Sequence, residues 1–135
     1  MLVVVGVIYG TTYAIGEFCY IHAFREPDSI VKRVFAQEAR FFFPLERRYR
    51  EADAFVTSVL ANVQPDNANA KKEAINSIVR ALKDDPAAAD LMAYLISFRL
   101  QLNQDEQAKV DFERFKKIAH VSDLSKLTTL RPHAD

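Results

Sequence analysis

The side chains able to do chemistry in this chain are few and scattered. His22, His120 and His133 stand too far apart to set metal-ligand spacing among themselves. Cys19 is the single cysteine, so neither a disulfide framework nor a thiolate pair is available. Asp84 and Asp85 precede Pro86, the pattern of a helix terminus and cap rather than of a general acid and base. Serine, histidine and aspartate all occur, but a triad is a geometry and not a composition. A Gly-rich phosphate loop, CxxC, HExxH and GxSxG are all missing from the sequence. His22 has the chemistry to ligate a haem or chlorophyll centre supplied by a complex, but reads first as an interfacial side chain. Cys19 has the chemistry to carry a lipid, but reads first as a small apolar filler. The expectation is a protein with no catalytic residues, no cofactor, no metal and no small-molecule substrate.

The elements that would position these residues divide the 135-residue chain in two. All eighteen Lys and Arg lie after Phe24, as do all acids except Glu17. The length suits one compact domain plus a tail or an anchor, and half of the residues are hydrophobic, enough for a core. A formal net charge of zero removes the case for a nucleic-acid binder, which needs a basic surface to release counterions from phosphate. Three glycines, all within the first sixteen residues, argue against an all-β fold and its closely spaced turns.

Leu2 to Phe24 reads LVVVGVIYGTTYAIGEFCYIHAF. As a helix it would span roughly 35 Å, slightly more than a hydrocarbon core of ~30 Å. It lacks the basic n-region and the small-residue cleavage site of a signal peptide. On these grounds residues 1–25 are expected to form a single-pass transmembrane anchor. Gly6, Gly10 and Ala14 recur every four residues, and Glu17 comes next on nearly the same face. Such a stripe lets a second membrane helix approach closely, with the costly carboxylate turned toward protein. Arg25, Lys32 and Arg33 flank the C-terminal end, which predicts a cytoplasmic location for the rest of the chain. Phe18, Tyr20 and Phe24 would be aromatic anchors at that boundary.

The remainder, residues 26–131, reads as successive helices. Pro27, Asp28 and Ser29 start the first, which carries Val31, Phe35 and Phe42 along one side with Ile30, Val34 and Phe41 beside them. It is either a bilayer-surface helix or, preferably, the first packed helix of the domain. Pro44 breaks the chain. The next helix runs from Leu45 to about Val63, with Tyr49, Ala52, Val56 and Val59 at helical spacing. Gln64 to Asn67 is a turn. A helix over about 69–83 buries Ala74, Ile75, Ile78, Val79 and Leu82. A further helix presents Leu91, Leu95, Phe98 and Leu102, and another over 105–119 presents Ala108, Phe112 and Phe115. Ser122 caps a short last helix to Leu130, and a frayed tail occupies 132–135.

A shift of 34 residues superposes Ala74, Ile78, Ala81 and Pro86 on Ala108, Phe112, Phe115 and His120, and Asn69 on Asn103. In this respect residues 55–120 resemble the tetratricopeptide family, whose units of about 34 residues are paired antiparallel helices. The resemblance implies an all-α fold of about two repeats, and a concave face on the first helix of the complete repeat, here Asp90, Ala93, Ser97 and Gln101. The family's Trp and mid-repeat Gly are missing, Asn standing at the turn instead. The whole layout, with FFFPLERRYREA behind an apolar helix and ALKDDPAAADLMAYL further on, is also similar to the cytoplasmic tail of O-antigen ligase or polymerase membrane proteins, without their catalytic machinery.

The function expected first is a membrane-anchored scaffold or accessory subunit. It would dock to an integral-membrane complex through Gly6, Gly10, Ala14 and Glu17, touch membrane lipid, and bind protein through its repeat. Two alternatives stay open: a stand-alone relative of the glycan-enzyme tail, and a soluble helical interaction protein whose residues 2–24 pack against the repeat.

Overall fold

The structure, a computed structural model, describes residues 2–44 and 46–118. Among these residues there are six α-helices: α1 (Leu2–Arg25), α2 (Ser29–Phe42), α3 (Arg47–Asn62), α4 (Ala68–Asp84), α5 (Ala89–Gln101) and α6 (Asp105–Ile118). The all-α expectation holds for them. The predicted helix from Ser122 to Leu130, the tail, and His120 and His133 lie outside the described residues.

Local chemistry explains the boundaries. Asp28 caps α2, its carboxylate accepting from the Ile30 and Val31 amides at 2.8 and 3.0 Å. Asn67 caps α4 through the Ala70 amide at 3.0 Å. Asp85 does not cap α5: it accepts from the Ala87 amide in the preceding turn, and α5 starts at Ala89 without a side-chain cap. Asn103 closes α5 with φ of 57°, a conformation that asparagine tolerates better than other residues with a Cβ.

Consecutive helices pack on one another, and the alternate helices α1, α3 and α5 also touch along one side. The result is a stack of helical hairpins. Its main core joins α3 to α6 through Ile78, Leu82, Met92, Leu95, Phe98 and Phe115. Two smaller clusters tie α1 and α2 to α3: Ala23, Ala36, Val56 and Leu60 in one, Cys19, Ala39 and Tyr49 in the other.

The membrane expectation is corrected. Among the described residues no helix is long and apolar enough to cross a membrane. The transmembrane element of the predicted fold, the single-pass anchor, the membrane location and the cytoplasmic orientation derived from it are therefore withdrawn. The physical reason lies along α1, where Tyr9, Thr11, Thr12, Tyr13, Glu17 and His22 dilute the apolar run. One side of α1 is also committed to protein: it lies along α2 and meets α3. Thr11 and Thr12 return their hydroxyls to the carbonyls of Val7 and Ile8 at 2.8 and 3.0 Å.

Candidate interaction groove

Because α1, α3 and α5 are neighbours, the side chains they turn away from α2, α4 and α6 share one concavity. Tyr20 and Phe24 of α1, Arg48, Glu51 and Phe55 of α3, and Asp90 at the start of α5 line a groove of about 320 Å³. Its apolar walls are open to solvent, Phe24 at 53% exposure and Phe55 at 41%. Edge-to-face ring contacts fix them: Tyr20 meets Phe24 at 5.1 Å between centroids, and Phe55 meets Tyr94 at 6.4 Å.

The charged lining is held by ion pairs. Arg48 places its guanidinium 2.6 Å from Glu17 Oε1 and 3.2 Å from Glu46 Oε1, and 5.5 Å from the centre of the Tyr20 ring. Its hydrogen bond to Glu46 leads the influences that raise its pKa further above the ordinary arginine value. Tyr49 is fully buried and donates its hydroxyl to Glu17 Oε1 at 2.7 Å. Burial, reinforced by Glu17, keeps that phenol protonated well above its usual range. Glu51 is paired with Arg47, which also reaches Asp85. These groups set a fixed pattern of charge around an aromatic slot, a surface suited to recognition.

Of the partner face expected on α5, Asp90 lines this groove. Ala93 and Ser97 are buried, and Gln101 is half-buried and donates its amide to Ser97 Oγ at 3.1 Å. Packed against α3, α4 and α6, α5 is enclosed almost all round and has little free face. Of the groove residues, the sequence reads Tyr20 and Phe24 as aromatic anchors at a membrane boundary, and it places none on α1 or α3 in a partner-binding groove. The available signal was the aromatic pair Tyr20 and Phe24 one turn apart, which fitted a membrane boundary equally well.

On α1, the stripe of Gly6, Gly10 and Ala14 is exposed, and a Cβ added at Gly6 or Gly10 would meet nothing within 4 Å. The glycine used within the chain is Gly16, where a Cβ would lie 2.9 Å from Tyr49 Cε2. Glu17 does face protein, namely Arg48 and Tyr49 of its own chain. Cys19 is buried, and burial together with the nearby Glu38 raises its thiol pKa, which disfavours the thiolate form. His22 turns Nδ1 to the Phe18 carbonyl at 2.9 Å and lies against the Phe18 and Phe35 rings. Among the described residues no group of three His, Cys, Asp or Glu is placed to hold a metal ion.

Two carboxylates that sequence periodicity did not single out are buried. Asp53 of α3 pairs with Arg40 of α2 at 3.0 Å, and Asp111 of α6 with Arg99 of α5 at 2.8 Å. Both have pKa values raised mainly by burial, against the lowering effect of the arginines.

No family model, curated protein or solved structure matches this chain. The tetratricopeptide and glycan-enzyme resemblances thus find no support there, and the assignment is corrected to an all-helical stack. The 34-residue shift is only partly reproduced in space. Ala74 and Ala108 are both buried, as are Ala81 and Phe115, but Ile78 is buried where Phe112 is partly exposed. Pro86 is exposed, and Asn69 sits in the first turn of α4 while Asn103 lies between helices.

Proposed function

We propose that this chain is a non-catalytic helical interaction module that accepts a protein segment in the groove between α1, α3 and α5. The observation that carries this reading is the coincidence of exposed Phe24 and Phe55 with fixed charges in one concavity. Aromatic side chains lose little conformational entropy on binding and are common among the residues that dominate interface energetics. Arg48 is paired with Glu17 and Glu46, and Glu51 with Arg47, within the chain, which supports a positioning role over proton transfer for these groups. The occupant is a short segment that sets a large apolar side chain between the two phenylalanines and a lysine or arginine near Glu51 and Asp90.

Selection of displayed linear peptides on the purified chain tests the reading. The expected outcome is an apolar residue next to a basic one, with binding weakened at least tenfold by Phe55→Asp and by Asp90→Lys. Peptides that bind both variants as well as the parent would remove the groove from consideration.

A further inference from the structure

The two walls of the groove belong to differently built parts of the molecule. Glu51, Phe55 and Asp90 stand on α3 and α5, which share a core with Ile78, Leu95 and Phe98. Tyr20 and Phe24 stand on α1, which meets the rest of the chain along two lines. One is its own contact with α3: Gly16 lies against the Tyr49 ring, and Glu17 accepts from Tyr49 and Arg48 at 2.7 and 2.6 Å. The other runs through α2, which packs on α1 and in turn on α3.

That second line is weakly built. The residues that α2 buries are Ala36 and Ala39, with Phe35 half-buried beside them. Small side chains remove little apolar surface from water. Three polar atoms are shut away here without a hydrogen-bond partner: Arg33 Nε of α2, and Asp53 Oδ1 and Thr57 Oγ1, one turn apart on α3. Each gives up hydration with no bond in return, which favours an arrangement that lets water back in. A cavity of about 190 Å³ adjoins two of them, lined by Arg33 of α2, Thr57 and Leu60 of α3, and Ala70 and Glu73 of α4. Two ion pairs tie α2 down, Arg40 with Asp53 at 3.0 Å and Arg33 with Glu73, the second between partly exposed side chains. Pairs open to water hold little.

We infer, resting on the groove reading above, that the α1–α2 hairpin is a movable wall of the groove. The seam between α2 and α3 opens, the hairpin pivots where Gly16 meets Tyr49, and Tyr20 and Phe24 shift relative to Phe55 and Asp90. An occupant that touches both walls then restrains the hairpin, and so protects α2, which has no residue in the groove. Hydrogen exchange on the full chain, read by mass spectrometry, tests this. In the free protein α2 should exchange about tenfold faster than α5. Thr57→Val keeps the shape of the side chain and removes the unpaired hydroxyl, so it should slow α2 about threefold and leave α5 and α6 unchanged. An α2 as protected as α5 would overturn the inference, as would a Thr57→Val chain in which no helix, or every helix alike, exchanges more slowly. A peptide selected on the parent chain should also slow α2 at saturation, and one that binds without reaching α2 would disconnect the hairpin from the groove. If no peptide is selected the groove reading fails, while the exchange of the free chain still decides whether the hairpin opens.

Discussion

The hairpin of α1 and α2 and the four helices from α3 to α6 use their hydrophobic residues in opposite ways. In α3 to α6 the core itself is built from large side chains: Ile78, Met92, Leu95, Phe98 and Phe115 are all essentially unexposed, although Phe55, Val110 and Phe112 stay at the surface. In the first hairpin the inward positions hold small residues, Gly16, Cys19, Ala23, Ala36 and Ala39, while Phe18, Phe24, Ile30 and Phe41 face out. Small residues bring helices close together, and tight contact with Tyr49 then replaces a bulky core. Several large apolar side chains of the first hairpin are thereby left on its surface, whereas the bulky core resides in α3 to α6.

The strongest test of that division is Phe98→Ala. Removing a fully buried aromatic side chain from the α3–α6 core costs about 3–5 kcal/mol. Urea unfolding monitored by far-ultraviolet circular dichroism should show a midpoint lowered for the whole signal. By contrast Phe41→Ser, at a residue 76% exposed on α2, should change the unfolding free energy by less than about 0.5 kcal/mol. Equal losses from the two would erase the contrast between the halves.

Next in size is Gly16→Leu. Its side chain enters space held by the Tyr49 ring, and forced overpacking of this kind costs about 1–3 kcal/mol. The effect should be confined to α1. Hydrogen exchange should accelerate in α1 while α4 to α6 keep their protection, and uniform acceleration would mean that the halves unfold as one.

Tyr49 gives a smaller effect with a pH signature. Its folded-state pKa lies above the unfolded phenol value of 10.0, through burial and the Glu17 carboxylate beside it. Its contribution is therefore complete below pH 10 and declines as pH climbs above it, where the unfolded chain releases the proton more readily. Tyr49→Phe should cost about 1 kcal/mol at neutral pH and abolish this alkaline decline. A decline of the same size in the variant would assign it to other groups.

Much of the helix pattern was legible because punctuation and periodicity agreed. Asp28, the Gln64–Asn67 turn and Asn103 mark boundaries close to those observed, and Tyr49, Ala74, Ile78, Leu82 and Phe98 are buried at their expected spacing. Faces were less legible wherever a helix is enclosed on several sides. In α5 periodicity carries little signal, so Ala93 and Ser97 read as a free surface although they are buried. In α6 the reverse happened: Phe112 reads as core yet is partly exposed, its ring covered by Lys116 at 5.3 Å, while Asp111 points inward. The apolar run of α1 has the composition of two different environments, and only its neighbours decide between them. The pairing of Glu17 with Arg48 and Tyr49 joins residues more than thirty positions apart, beyond the reach of any local pattern.

The smallest expected effect belongs to Asp53, and it tests whether the junction between the two halves is held by charge or by packing. Its carboxylate is 3% exposed on α3 and meets Arg40 of α2, yet burial outweighs the arginine and raises its pKa above 3.8. A raised acid pKa means that the folded chain binds this proton more tightly than the unfolded one. The ionised group is then a net cost at neutral pH, relieved as pH falls through the folded value toward 3.8. Asp53→Asn removes that cost but also leaves Arg40 without its partner, and Arg40 is exposed enough for water to compensate in part. The two changes nearly cancel, leaving a stability change within about 1 kcal/mol at pH 7. The parent should then gain on the variant as the solution is acidified, because only the parent has a carboxylate to protonate. Urea titrations of both proteins at neutral pH and near pH 4 measure the difference. A parent that loses ground on acidification would mean that Arg40 dominates after all, and that the halves are joined by the ion pair.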